Sequence, residues 1–150
     1  MHPEQQDKFV SVTPPAAIVD DGSYTCASVD TLGYSYARIF GYLGATDIAM
    51  AALKLQESDD DSSYADVTGL VYGTSSGVAG ATSAVPSGGD DNKCFAFEVD
   101  MRGRKRYLKL VATAGNGSTG TYLTAFALLS RAADGPVTKT ERGFGNVLRV

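Results

Sequence analysis

The chain has 150 residues, a formal net charge of −4 and 20% charged side chains. A chain of this length buries roughly 68–70% of its unfolded surface in one core, so one domain is expected, and the acidic balance argues against nucleic acid or an anionic membrane as the main partner. No window approaches the ~18 apolar residues of a membrane-spanning helix, and the opening MHPEQQDKF lacks the basic and apolar regions of a secretory signal.

In chain order, strand-like runs alternate with turn signals. The first run, KFVSV at 8–12, precedes Pro14-Pro15, where a strand must end or lie at an edge. Runs at 16–19 (AAIV) and 23–29 (SYTCASV) flank Asp20-Asp21-Gly22, and a longer one follows at 34–43 (YSYARIFGYL). The stretch ATDIAMAALKL at 45–55 carries helix-favouring Ala and Leu. It reads as a turn at Ala45–Asp47 entering a strand at 50–57, with a short helix as the alternative.

Residues 50–69, MAALKLQESDDDSSYADVTG, have the form of a β-hairpin. Leu53 and Leu55 alternate with polar residues up to an acidic, serine-rich tip at 58–63, and a second run at 64–72 includes Tyr64 and Val67. Residues 73–92 are Gly, Ser, Ala and Thr with almost no bulky side chains, a length of loop that is usually functional or disordered.

Alternation is cleanest in the run at 93–101, with Phe95, Phe97, Val99 and Met101 on one face and Ala96, Glu98 and Asp100 on the other. A turn at Arg102-Gly103-Arg104 leads into 105–113, and Gly115-Asn116-Gly117-Ser118 leads into 121–130. That last run is apolar on both faces: Tyr122, Phe126 and Leu128 on one, Leu123, Ala125, Ala127 and Leu129 on the other. An antiparallel strand ordinarily keeps one wet face, so a further layer of the same chain or a neighbouring subunit should cover the second. After Gly135-Pro136 the pattern stops, and Phe144, Val147, Leu148 and Val150 form an apolar tail that reads as a docking arm, with a frayed terminus as the alternative.

The spacing of runs and turns predicts an all-β fold, a two-sheet antiparallel β-sandwich of jelly-roll type with about eight or nine strands, a long small-residue loop and an extended C-terminal arm. The boundaries are a sandwich domain at 1–135 and an arm at 136–150. Phe95, Phe97, Val99, Leu53, Leu55, Leu110 and Val111 are the expected core, with the adjacent Leu110 and Val111 facing opposite ways.

No residue pattern points to catalysis or to a cofactor. The one histidine, His2, leaves no partner for most Ser-His or Cys-His nucleophile systems. Neither a dinucleotide-binding glycine motif nor a P-loop lysine is present. Asp59-Asp60-Asp61 and Asp90-Asp91 offer oxygen ligands for calcium but lack the spaced pattern of a calcium loop, so solvated turns are the better reading. Cys26 and Cys94 read as two reduced, partly buried thiols, too few for a four-ligand zinc site. The basic cluster Arg102, Arg104, Lys105 and Arg106 is either a solvated turn or a patch that meets an acidic partner surface or a bound phosphate. Tyr34, Tyr36 and Tyr42 could stack sugar rings, although aromatics at strand spacing more often fill cores or interfaces.

The hairpin at 50–69 resembles one common in jelly-roll domains of phage structural proteins and in galactose-binding-like modules. Residues 31–69 and 100–132, most recognisably LKLQESDD, RGRKRYLKL and TYLTAFALLSRA, resemble a family of small structural proteins of tailed phages and prophages. The resemblance implies a virion structural protein, foremost a capsid decoration (cement) protein made in the host cytoplasm and carried on the head. Its partners would be the major capsid protein and copies of itself, a trimer being favoured, with no membrane or nucleic-acid partner. A head–tail connector, a fibre-base component and a glycan-binding attachment module are the alternatives. The expected partner-binding residues come from the side-chain reading: Phe144, Val147, Leu148 and Val150 of the arm, with Arg102, Arg104, Lys105 and Arg106 adding electrostatic steering.

Overall fold

The computed structural model describes residues 6–134 and 138–148. Among them are eight strands: β1 (Lys8–Thr13), β2 (Val29–Asp30), β3 (Tyr34–Thr46), β4 (Ala52–Ser58), β5 (Ala65–Val71), β6 (Cys94–Asp100), β7 (Tyr107–Thr113) and β8 (Thr121–Ala132). They form two four-stranded sheets, ordered β1-β8-β3-β6 and β2-β7-β4-β5, in which every neighbouring pair is antiparallel. No helix among the described residues is long and apolar enough to cross a membrane.

Period-2 alternation decides which way each strand faces. In the first sheet Ala37, Ile39 and Leu43 of β3 lie beside Leu123, Ala125, Ala127 and Leu129 of β8, with Phe97 and Val99 of β6 on the far side. In the second, Leu53 and Leu55 of β4 pair in register with Ala112 and Leu110 of β7. Side chains from both sheets belong to one buried cluster. Of the expected core residues, Phe97, Val99, Leu53, Leu55 and Leu110 are buried. Phe95 packs on the cluster from a half-buried position, and Val111 is half-buried on the outer side because Leu110 takes the inner one.

Two runs differ from expectation. Residues 16–19 contribute only an isolated bridge, Val19 to Thr121, and the run at 23–29 reduces to a bridge at Ser23 and the two-residue β2. Pro14 and Pro15 withdraw two ladder donors where the chain leaves β1 for the second sheet, so this segment pairs intermittently. Its contacts alternate between sheets: Val19 exchanges backbone hydrogen bonds with Thr121, Tyr24 N–H donates to Ala112 O, and Ala27 N–H donates to Val12 O.

The stretch 45–55 holds no helix; β3 runs on to Thr46, and the chain bends before β4. Asp47 fixes that bend. Its Oδ2 accepts backbone N–H bonds from Ser118 (2.8 Å), Thr119 (2.7 Å) and Gly120 (2.9 Å), fastening the β3–β4 corner to the β7–β8 corner. Gly120 sits at φ 96°, and a Cβ there would lie 2.4 Å from Val19 O, so this close approach requires glycine.

The long loop is hydrogen-bonded to itself. Ser76 bridges Thr82, Ser83 N–H donates to Ser75 O, and Ser83 Oγ–H donates to the same carbonyl at 2.7 Å. Met50 N–H donates to the carbonyl of the fully buried Pro86, which ties the end of the loop to the start of β4.

Candidate interaction surface

The two sheets present different outer faces. On the second, Lys54 and Gln56 of β4 donate to the carboxylate of Asp66 on β5, and Lys109 lies over the Tyr64 ring. That face is polar and charged. On the first sheet the outward positions of three neighbouring strands carry phenylalanines. Phe40 of β3 is directly opposite Phe126 of β8 with ring centroids 5.0 Å apart, and Phe9 of β1 follows at 5.6 Å from Phe126. Ring pairs of this geometry contribute about 0.5–1.5 kcal/mol beyond their buried area.

The C-terminal segment extends the row. Phe144 lies 5.9 Å from Phe9, centroid to centroid. Beneath it Arg142 is buried; its Nε–H donates to Asp7 O, and its carbonyl accepts the Phe9 N–H at 2.8 Å. Gly143 has φ 77°, and a Cβ on it would stand 1.9 Å from Phe9 O, so only glycine lets the segment lie this close to β1. Residues 138–144 form a single closed turn. Thr138 and Glu141 bond reciprocally, Thr138 N–H to Glu141 Oε2 and Glu141 N–H to Thr138 Oγ1, as in a capping box. The segment thus packs on β1, at the end of the outer phenylalanine row that begins on β3 and crosses β8.

The expected arm residues divide accordingly. Phe144 is half-buried on β1, Val147 is 37% exposed and Leu148 is 94% exposed. Val150 lies outside the described residues, as do Gly135, Pro136 and Val137 at the expected domain boundary. The arm thus has an anchor at 138–144 and an exposed apolar tip.

The four basic residues of the β6–β7 turn are brought together, and each meets a carboxylate of this chain. Arg102 pairs with Asp100, Arg104 with Glu57, Lys105 with Asp59, and Arg106 with Asp30 through two hydrogen bonds of 2.8 and 2.7 Å. These bonds hold the Asp30 and Asp100 carboxyls below the usual carboxylate range. Solvent screens exposed pairs of this kind, so they add little to stability. Their larger effect is to leave the turn with little net positive field.

The acidic tips are turn organisers. Asp60 Oδ1 accepts from Ser58 Oγ and from the N–H groups of Ser62 and Ser63, which lowers its pKa strongly, and Asp61 accepts from the Tyr64 hydroxyl. Asp90 accepts from Ser87 and Lys93, and Asp91 accepts the Thr46 N–H. Among the described residues no cluster of three or more His, Cys, Asp or Glu is arranged to hold a metal. Both cysteines are free; Cys26 is buried against Thr13 Oγ1, whereas Cys94, expected to be partly buried, is exposed on the outer face of β6.

The three tyrosines considered for sugar stacking do not converge. Tyr34 packs toward the core, Tyr36 lies under Arg131, and Tyr42, 44% exposed, is six residues along β3 from Tyr36. Six residues of strand separate those two rings by about 20 Å, too far for one sugar ring.

A cleft of about 420 Å³ opens between the free edges of the two sheets, bounded by Gly69, Leu70 and Val71 of β5, Ala96 and Glu98 of β6, and Val78 of the long loop. Tyr72 crosses its floor, with its hydroxyl donating to Ala96 O at 2.9 Å and its ring edge-on to Phe97 at 5.2 Å.

The outer phenylalanine row escaped sequence reading except for Phe126. In KFVSV the neighbours Phe9 and Val10 are both apolar, so the run alone does not say which one faces the core. The cleft had no signal beyond the length of the loop beside it. No family model matches the chain, and neither a curated protein nor a solved structure matches it at a significant level.

Proposed function

We propose that this chain is a virion structural protein of a tailed phage, a capsid decoration (cement) protein that binds the head lattice as an oligomer, a trimer being favoured, with the major capsid protein as partner. The proposal includes a jelly-roll β-sandwich. Its support is the pairing pattern: β1 with β8, β2 with β7, β3 with β6 and β4 with β5, the pairs made by rolling up one long hairpin. The added contacts β3–β8 and β4–β7 close each half into a four-stranded sheet. Jelly rolls of eight strands recur in viral capsid domains, although the architecture also serves lectins and enzymes, so the fold alone assigns no role.

The observation that carries the functional reading is the asymmetry of the surface. Both outer faces carry charged side chains, but that of the first sheet also bears the row Phe9, Phe40 and Phe126, the exposed pair Tyr42 and Tyr122, and an anchored arm ending in exposed Val147 and Leu148. Apolar groups displayed on a rigid sheet suit attachment to another protein surface better than they suit chemistry. The segments LKLQESDD, RGRKRYLKL and TYLTAFALLSRA, on which the phage resemblance rests, fall on β4, on the β6–β7 turn with β7, and on β8.

Mass spectrometry of purified particles with copy-number quantitation tests the reading. Copies on the order of hundreds per particle support a decoration protein, because lattice positions are that numerous. About a dozen copies would assign the chain to a connector ring or fibre base, and absence from particles would reject the virion role.

A further inference from the structure

We infer that the cleft between β5 and β6 receives the C-terminal tip of a second copy of this chain, residues 145–150, added as a strand on the free edge of β6. This deepens the reading of the arm as a docking element and is independent of which particle surface the oligomer occupies.

The edge is built for it. β6 pairs with β3 on one side, and no described strand lies on its other side. Lys93 O and Met101 N–H bond toward β3, whereas Ala96 O points away and accepts the Tyr72 hydroxyl. By the alternation of an antiparallel ladder, the main-chain groups of Ala96 and Glu98 face the cleft. An extended segment placed there gains main-chain hydrogen bonds, and its alternate side chains enter opposite surroundings.

The tip matches those surroundings. Its sequence runs Gly145-Asn146-Val147-Leu148-Arg149-Val150. In an added strand Leu148 and Val150 share one side and Val147 and Arg149 the other. The first side meets the apolar cleft wall at Leu70 and Tyr72; the second lies on the outer face beside Glu98, a carboxylate complementary to Arg149.

The donor must be another copy. Phe144 is anchored on β1, the opposite edge of the same sheet. A strand beyond β6 stands four strand spacings from β1, about 19 Å, while the four residues from Phe144 to Leu148 span at most about 14 Å. One copy's tip in the next copy's cleft is a head-to-tail contact, which closes into a ring when the rotation allows and explains a cyclic oligomer.

Sedimentation velocity on the full-length chain across a concentration series tests this. The wild type should sediment as a multiple of 15.7 kDa. Glu98→Arg and Arg149→Glu should each weaken association about twofold to fivefold, the range of an exposed ion pair, and the double exchange should restore it. Leu148→Asp should weaken it at least about tenfold. Arg149→Glu and Leu148→Asp alter the tip and spare the sheets, so they keep the test valid if Glu98→Arg misfolds. A wild type that remains monomeric, or charge exchanges that do not rescue one another, would overturn the inference. Particle copy number is read separately: a monomer present in hundreds of copies removes the inference and keeps the decoration reading, whereas a ring absent from particles does the reverse.

Discussion

The residue with the clearest energetic role is Phe97, 3% exposed and wedged edge-on against Tyr72. Truncation to alanine should cost about 3–5 kcal/mol, because a cavity adds to the lost transfer energy; urea unfolding monitored by circular dichroism measures it, and a loss under about 1 kcal/mol would place the ring in a site that collapses freely. Its burial was legible from the alternation of Phe95, Phe97 and Val99 alone. Asp47 was not legible, because its three partners lie more than seventy positions away and an aspartate in a turn looks the same whether or not it bonds at long range. Those backbone donors lower its pKa to about 2. A folded-state pKa below the unfolded value of about 3.9 means its contribution is fully present above that value and is lost as pH falls toward about 2. The melting temperature should therefore hold from neutrality to about pH 4 and then drop, with Asp60 adding in the same direction. Asp47→Asn should be less stable at neutral pH and should lose part of the acid-dependent drop; an unchanged pH profile would mean the corner does not depend on the charge.

At the scale of elements, the strands with strict alternation were placed within a few residues, and the failures share one cause. The runs at 16–19 and 23–29 have strand composition, but they cross between sheets, and whether a segment finds a continuous partner is a tertiary fact. The arm was read from its apolar residues, and the packing of 138–144 on β1 was hidden, because Gly143 reads as a linker residue until the 1.9 Å approach to Phe9 O gives it a purpose. That approach makes a prediction. Gly143→Ala should lift the anchor from β1 and expose Phe9, costing at least about 1 kcal/mol from positive-φ strain alone. Deleting residues 145–150 removes only the tip and, at concentrations where the wild type is dissociated, should change unfolding stability by no more than about 0.5 kcal/mol, while particle occupancy falls. Equal stability for Gly143→Ala and the wild type would show that the turn at 138–144 does not hold the sheet.

For the whole molecule, the distribution of charge decides how attachment should respond to salt. A steering role for the basic turn requires a positive field reaching about a Debye length into solvent. Each of its four cations instead lies within 4 Å of a carboxylate belonging to the same chain, on a molecule of net charge −4. Such pairs cancel at the distance of an approaching surface, so the turn behaves as a clamp joining the β6–β7 connection to Asp30 and to the hairpin tip near Asp59. The attachment free energy then comes from the aromatic face, where apolar burial gives about 25 cal/mol per Å² and depends little on ionic strength. The face of one copy contributes too little to offset the lost freedom of association, and several copies in one ring overcome it through effective concentration. Occupancy on purified heads should accordingly change by less than about threefold between about 0.05 M and about 0.5 M salt. A loss of an order of magnitude over that interval would mean that the basic residues exchange their internal carboxylates for those of the partner on binding. In that case Arg102→Ala and Arg106→Ala, which leave the apolar surfaces intact, should reproduce the loss at low salt.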